Sequence, residues 1–194
     1  MLGLVVCGGK STRMGDDKGM LLSGNKTWAQ IAKEKIEAIN LRLAVSINPA
    51  QIEKYQSVFK KDELIVDATE LDMASPLHGI LSAHLHFPDE DILVLACDMP
   101  NMQTLVLEEL LKYYQKNSFE AVAFMNGIQI EPMCAVYSSR GLTKILSIYR
   151  GNNLTRHSLM NVLEILNAQY IKVEESWQPY FRNFNSPEDL KTLD

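Results

Sequence analysis

The chain has 194 residues, of which 46% are hydrophobic and 22% charged, which fits one soluble globular domain able to bury a core without disulfides or a structural metal. Its net charge of −5 argues against a broad nucleic-acid-binding surface, although one local cationic cleft remains compatible with it. The three cysteines, Cys7, Cys97 and Cys134, show no Cys-x-x-Cys spacing, so they suggest neither a disulfide framework nor a zinc knuckle and favour a reducing, cytoplasmic compartment.

In chain order, Leu2 to Cys7 reads as a buried first strand. The segment is apolar but short and has no basic stretch before it, so it does not read as a signal peptide. Thr27 to Asn40 places Trp28, Ile31, Ala32, Ile36 and Ile39 on one helical face. Leu43 to Ile47 is a second strand, Ala50 to Phe59 a helix, Leu64 to Val66 a short strand and Leu77 to Phe87 a helix. Ile92 to Cys97 is a further apolar strand, followed by a helical stripe over Leu105 to Tyr114. Strands over Ala121 to Phe124 and Met133 to Tyr137 precede helices over Leu142 to Tyr149 and Leu154 to Leu166. Tyr170 to Val173 is a late strand, and Ser186-Pro187 opens a terminal helix with Glu188 and Asp189 in its first turn. No apolar run approaches the ~20 residues needed to span a bilayer.

Strands that are apolar throughout are covered on both faces, as in parallel sheets packed between helices. The order therefore predicts an α/β fold: a doubly wound, mostly parallel sheet in a Rossmann-like three-layer sandwich, with residues 1–194 as one domain. Ligands of such folds bind beyond the carboxyl ends of the strands. Attention thus falls on the residues just after Val6, Ile47, Val66 and Ala96: Cys7-Gly8-Gly9, Asn48-Pro49, Asp67 and Cys97-Asp98-Met99-Pro100.

The first of these continues as Lys10-Ser11-Thr12-Arg13-Met14-Gly15-Asp16-Asp17-Lys18. Gly8 and Gly9 allow positive φ and close backbone approach to a ligand, and their N–H groups can form an anion-binding nest. Lys10, Arg13 and Lys18 add cations suited to a triphosphate. The string is neither a P-loop nor a dinucleotide fingerprint. A glycine-rich turn with surface lysines is the plainer reading of Gly8-Gly9 alone, but it accounts poorly for the whole string. Asp98 stands at the end of a buried strand, before a proline that forces a turn. One such carboxylate suits Mg²⁺, which takes one or two carboxylates together with substrate phosphates and water. The alternative is a turn or N-cap aspartate, with the next helix starting at Asn101. Asp67 and Asn48 can each be a strand-ending turn residue or a ligand contact. The four histidines have no metal-ligand spacing, and His84 and His86 would diverge on a helix.

The loop resembles the signature Leu-Ala-Gly-Gly-x-Ser-x-Arg-Met-Gly-x-Asp-Lys of the molybdenum cofactor guanylyltransferases, with Ser11, Arg13, Met14, Gly15, Asp17 and Lys18 matching and Cys7 in place of alanine. The resemblance extends over essentially the whole chain. It implies transfer of GMP from GTP to the phosphate of molybdopterin, with Mg²⁺ on Asp98, and catalytic roles for Arg13, Lys18 and Asp98. It further implies nucleotide contacts from Val6, Cys7, Gly8, Gly9, Lys18, Asn48, Asp67, Pro76, Leu77, Asp98, Asn183 and Asn185. The N-terminal part would hold the nucleotide and the C-terminal part, around Glu131-Pro132 and Arg156-His157, the pterin acceptor. A cytoplasmic monomer, with GTP and molybdopterin as ligands and a molybdenum-insertion or molybdoenzyme-maturation protein as partner, completes what the resemblance implies; nucleic acid and membrane are not expected.

Two positions depart from the family segment Gly-Pro-Leu-Ala-Gly: Ser75 stands for glycine and His78 for alanine, which leaves the choice of base open. The plainer reading makes Pro76 a first helical residue with His78 facing solvent. A related CTP-using transferase is the nearest rival, against which Gly9 counts, because such loops usually read Ala-Ala-Gly. A sugar-phosphate nucleotidyltransferase and a non-catalytic nucleotide-binding module are further rivals.

Overall fold

The computed structural model describes residues 1–7 and 17–184. Gly8, Gly9, Arg13, Asn185 and the terminal helix expected from Ser186 lie outside the described residues.

After the first strand, β1 (Leu2–Val6), the next strands in the chain form a short hairpin, β2 (Leu22–Ser23) and β3 (Lys26–Thr27). Helix α1 (Trp28–Ala38) starts there because Thr27 caps it: its hydroxyl accepts from the Gln30 N–H while the Gln30 side chain accepts from the Thr27 N–H. Then come β4 (Arg42–Ile47), a 3-10 turn at Pro49–Gln51, α2 (Ile52–Gln56), β5 (Leu64–Val66) and α3 (Leu77–His86). The second half runs β6 (Ile92–Ala96), α4 (Thr104–Gln115), β7 (Ala121–Asn126), β8 (Gln129–Tyr137), α5 (Ser139–Arg150), α6 (Leu159–Ile165) and β9 (Gln169–Lys172).

Seven strands form one sheet in the order β5-β4-β1-β6-β8-β7-β9. β5, β4, β1 and β6 are mutually parallel, β8 runs antiparallel to β6 and β7, and β9 is parallel to β7. The expected doubly wound, mostly parallel sandwich is the fold observed. Alternation along each strand feeds two cores. Leu2, Leu4 and Val6 face α3, α5 and α6 through Ile80, Leu81, Ile145 and Val162. Val5 and Cys7 face α1, α2 and α4 through Ala32, Tyr55 and Leu107.

The differences from the sequence-based expectation have local causes. The segment expected as one helix over Ala50 to Phe59 is a 3-10 turn followed by five helical residues, because Asn48 caps the turn by accepting from the Ala50 N–H. The helix expected from Leu154 begins at Leu159, where the Ser158 hydroxyl accepts from the Asn161 N–H. It ends before Asn167, whose φ of 47° is left-handed. α4 starts at Thr104 and not at Asn101, so Asp98 caps no helix. The strands expected at Ala121 and Met133 are longer and form a hairpin turning at Gly127 (φ 63°), which reverses β8 in the sheet.

Candidate active site

The chain leaves β1 in one lateral direction, to β4 and β5, and then crosses to β6 on the other side of β1. The carboxyl ends of β1 and β6 therefore form the topological switch point, the place where open α/β sheets bind ligands. Asp98 follows β6 there, and Lys18 reaches it from the 3-10 turn at Lys18–Met20: Nζ lies 2.9 Å from Asp98 Oδ2. Each side chain of the pair is 21% exposed. The Asp98 turn is braced twice, since Lys35 of α1 donates to the Pro100 carbonyl and the Phe184 N–H donates to the Asp98 carbonyl at 3.1 Å. Phe184 is fully buried edge-on against Trp28, 5.9 Å between ring centroids, and this anchors the exposed Asn183 beside the Asp98 turn.

The Gln51 amide clamps the two ends of the loop that the sequence marks for phosphate. Its Nε2 donates to the Cys7 carbonyl at 3.1 Å and to Asp17 Oδ2 at 2.7 Å, and its Oε1 accepts from the Asn48 N–H at 2.8 Å. The Tyr55 hydroxyl donates to the other Asp17 oxygen at 2.9 Å, and the Gly19 N–H donates to that oxygen as well. Asp17 thus positions Lys18 and is held by buried partners. Gly19 cannot carry a side chain here: a Cβ would meet the Tyr55 hydroxyl at 2.1 Å. Cys7 and Cys97 come directly after paired residues of β1 and β6, and their side chains hydrogen-bond; this bond, before burial, pushes the Cys97 thiol well above its ordinary pKa. All three cysteines are free and buried.

Beside this point lies a cavity of about 700 Å³, within the range of small-ligand sites. Val6, Asn48, Asp67 and Pro76 line it, as do Ser46, Ser75 and His78. Asp67 Oδ1 is 3.4 Å from the Ser46 hydroxyl, and Oδ2 is 4.0 Å from His78 Nδ1. Burial raises the Asp67 pKa, against smaller opposing effects from His78 and the Ser46 hydrogen bond. His78 does not face solvent: its Nε2 bonds the Ala68 carbonyl at 2.9 Å. Leu77 departs from the expected set of contacts, because its side chain is fully buried in the core. That leaves its main chain for a ligand.

Val6, Asn48, Asp67 and Pro76 are therefore gathered on one cavity, and Lys18 and Asp98 are paired at the switch point. Sequence reasoning missed Gln51, Tyr55 and Ser46. Ser46 had a readable signal, a hydroxyl inside an apolar strand, and it is fully buried. Among the described residues no group of three or more His, Cys, Asp or Glu could hold a metal, and no helix is long and apolar enough to cross a membrane. Elsewhere, Glu131 on β8 is buried with its pKa raised by that burial, and His84 is buried against the Thr143 hydroxyl.

A doubly wound sheet with a lysine-aspartate pair at its switch point and an adjoining ligand-sized cavity is the arrangement of an α/β nucleotidyltransferase. The chain belongs to the MobA-like NTP transferase domain family, whose model matches residues 3–169, and it is a nucleotidyltransferase. It is 29% identical to a probable molybdenum cofactor guanylyltransferase of Flavobacterium johnsoniae over 189 residues, 97% of this chain and 94% of that protein. A protein of the same name from Methanothermobacter thermautotrophicus is 29% identical over 190 residues, 96% of this chain and 95% of its own. The crystal structure of molybdopterin-guanine dinucleotide biosynthesis protein A from Archaeoglobus fulgidus is similar with a TM-score of 0.79 and 26% identity, covering 100% of this chain and 96% of that one.

Proposed function

We propose that the chain transfers GMP from GTP to the phosphate of molybdopterin, forming the guanine dinucleotide cofactor and releasing pyrophosphate. The observation that carries this reading is the meeting of Lys18 and Asp98 at the switch point beside a cavity lined by Asp67 and Asn48. The names of the relatives, molybdenum cofactor guanylyltransferase, and of the similar Archaeoglobus fulgidus protein, molybdopterin-guanine dinucleotide biosynthesis protein A, support guanine and molybdopterin as the chemistry served.

The acceptor phosphate is already an anion, so no general base is required to generate the nucleophile. Its oxygen forms a bond to the α-phosphorus as the bond from that phosphorus to the β-phosphate bridging oxygen breaks, and pyrophosphate carries the electron pair away. The protein's work is alignment and charge neutralisation. Lys18 supplies positive charge to the triphosphate, joined by Arg13 and the Gly8 and Gly9 N–H groups. Asn183, beside the Asp98 turn, and Asn185 are further nucleotide contacts in this reading, and Asn48, Asp67, Pro76 and the Leu77 main chain hold the nucleoside. Asp98 would hold Mg²⁺, since it is a hard carboxylate at a strand end and Mg²⁺ takes one or two such carboxylates together with substrate phosphates and water. When bound, Mg²⁺ would supply charge stabilisation on the phosphates.

Three free buried cysteines and the absence of a membrane-spanning helix among the described residues support a cytoplasmic setting. Proteins that insert molybdenum or mature molybdoenzymes are the proposed partners, with the chain itself a monomer. Incubation with GTP, Mg²⁺ and molybdopterin, and then mass analysis of the pterin, tests the reading. The guanine dinucleotide is the expected product, and an unchanged pterin refutes the proposal.

A further inference from the structure

His78 does something that phosphate transfer does not need. It stands in the first turn of α3 and lines the cavity, with its side chain 20% exposed against 12% for Asp67. Its Nε2 lies 2.9 Å from the Ala68 carbonyl oxygen, which can only accept, so Nε2 carries the proton. In the neutral ring Nδ1 is then a bare acceptor, and it lies 4.0 Å from Asp67 Oδ2. One nitrogen bearing two hydrogens can reach both acceptors at ~2.9 Å, with each hydrogen bond slightly bent but within the usual angular range.

The pair is built rigidly. Asp67 Oδ1 is held by the Ser46 hydroxyl, and the Asp67 N–H donates to the Ile47 carbonyl at 2.9 Å. Gly79 lets α3 approach this closely, since a Cβ there would meet the Ser46 hydroxyl at 2.1 Å. The Ser82 hydroxyl donates to the His78 carbonyl and accepts from the Ala68 N–H, both at 2.8 Å, which fixes the ring's anchor.

We propose that His78 is a specificity-determining residue whose Nδ1, together with Asp67 Oδ2, reads an exocyclic amino group on the substrate's base. Resting on the guanylyl-transfer reading, the group is the 2-amino group of guanine, so His78 distinguishes guanine from a purine with hydrogen at that position.

The test compares kcat/KM for GTP and ITP, which lacks the 2-amino group, by pyrophosphate release. His78→Ala is expected to lower the GTP-to-ITP ratio about tenfold, the scale of one hydrogen bond lost from a desolvated site. His78→Asn keeps an acceptor where Nδ1 stood and should retain most of the ratio. His78→Gln can reach the Ala68 carbonyl but offers no such acceptor, and it should behave like the alanine variant. Circular dichroism and an unchanged thermal midpoint report that the variants are folded. An unchanged ratio in His78→Ala overturns the inference while leaving GMP transfer standing, as does a ratio kept by glutamine and lost by asparagine. Wild-type protein that turns over CTP but not GTP refutes both.

Discussion

Lys18 Nζ and Asp98 Oδ2 meet at 2.9 Å across the switch point of the sheet, although 80 residues separate them in sequence. Partly exposed ion pairs contribute on the order of 1 kcal/mol or less to stability. Lys18→Ala is therefore expected to leave the thermal midpoint nearly unchanged while kcat falls about 10²–10³-fold, the scale for losing one preorganised charge-stabilising donor. Steady-state pyrophosphate release checks this, and near-normal turnover would remove Lys18 from the catalytic machinery.

Asp98→Ala should abolish Mg²⁺-dependent turnover with the fold intact. The contact that docks the C-terminal segment uses the Asp98 main-chain carbonyl, which the substitution spares. Circular dichroism together with a Mg²⁺ titration of activity tests both halves. A variant with wild-type Mg²⁺ dependence contradicts the assignment.

Gln51→Ala strips a partner from the Cys7 carbonyl, the Asn48 N–H and the Asp17 carboxylate together. Groups left unsatisfied in a buried site cost about 1–3 kcal/mol, so the urea midpoint should fall accordingly. The loop ends lose their clamp, and KM for GTP should rise more than kcat falls. An unchanged urea midpoint would show that Gln51 is not the clamp.

Asp67 makes a pH prediction. Burial raises its pKa in the folded chain above the unfolded value of about 4. The folded state thus holds the proton to higher pH, and the stability gained by protonation is complete below the unfolded pKa and is lost as pH rises through the folded one. Asp67→Asn removes that loss. Its thermal midpoint should match wild type below about pH 4 and exceed it by a margin that grows as pH rises through the folded pKa, while GTP binding weakens. A difference between variant and wild type that is constant with pH would contradict this.

The parallel half of the sheet was legible because β1, β4 and β6 are almost continuous apolar runs, and α1 because its stripe comes after a capping threonine. The reversal of β8 was not legible: an apolar run carries no direction, and the hairpin that sets it turns on Gly127, outside both apolar runs. Strand-end positions at Asn48, Asp67 and Asp98 could be found because the fold class dictates where ligands lie. The Gln51 clamp could not, since its amide reaches a carbonyl 44 residues away. Leu77 marks the limit of carrying a motif over whole: Pro76 and His78 line the cavity, while the residue between them is turned into the core by helical geometry.

Nucleotidyl transfer from GTP to a pterin phosphate is tested most sharply by pyrophosphate release from GTP, CTP, ATP and UTP, each with and without molybdopterin, in the presence of Mg²⁺. Release from GTP that requires molybdopterin is the expected result. Release from CTP alone, or binding of GTP with no release under any condition, would contradict it.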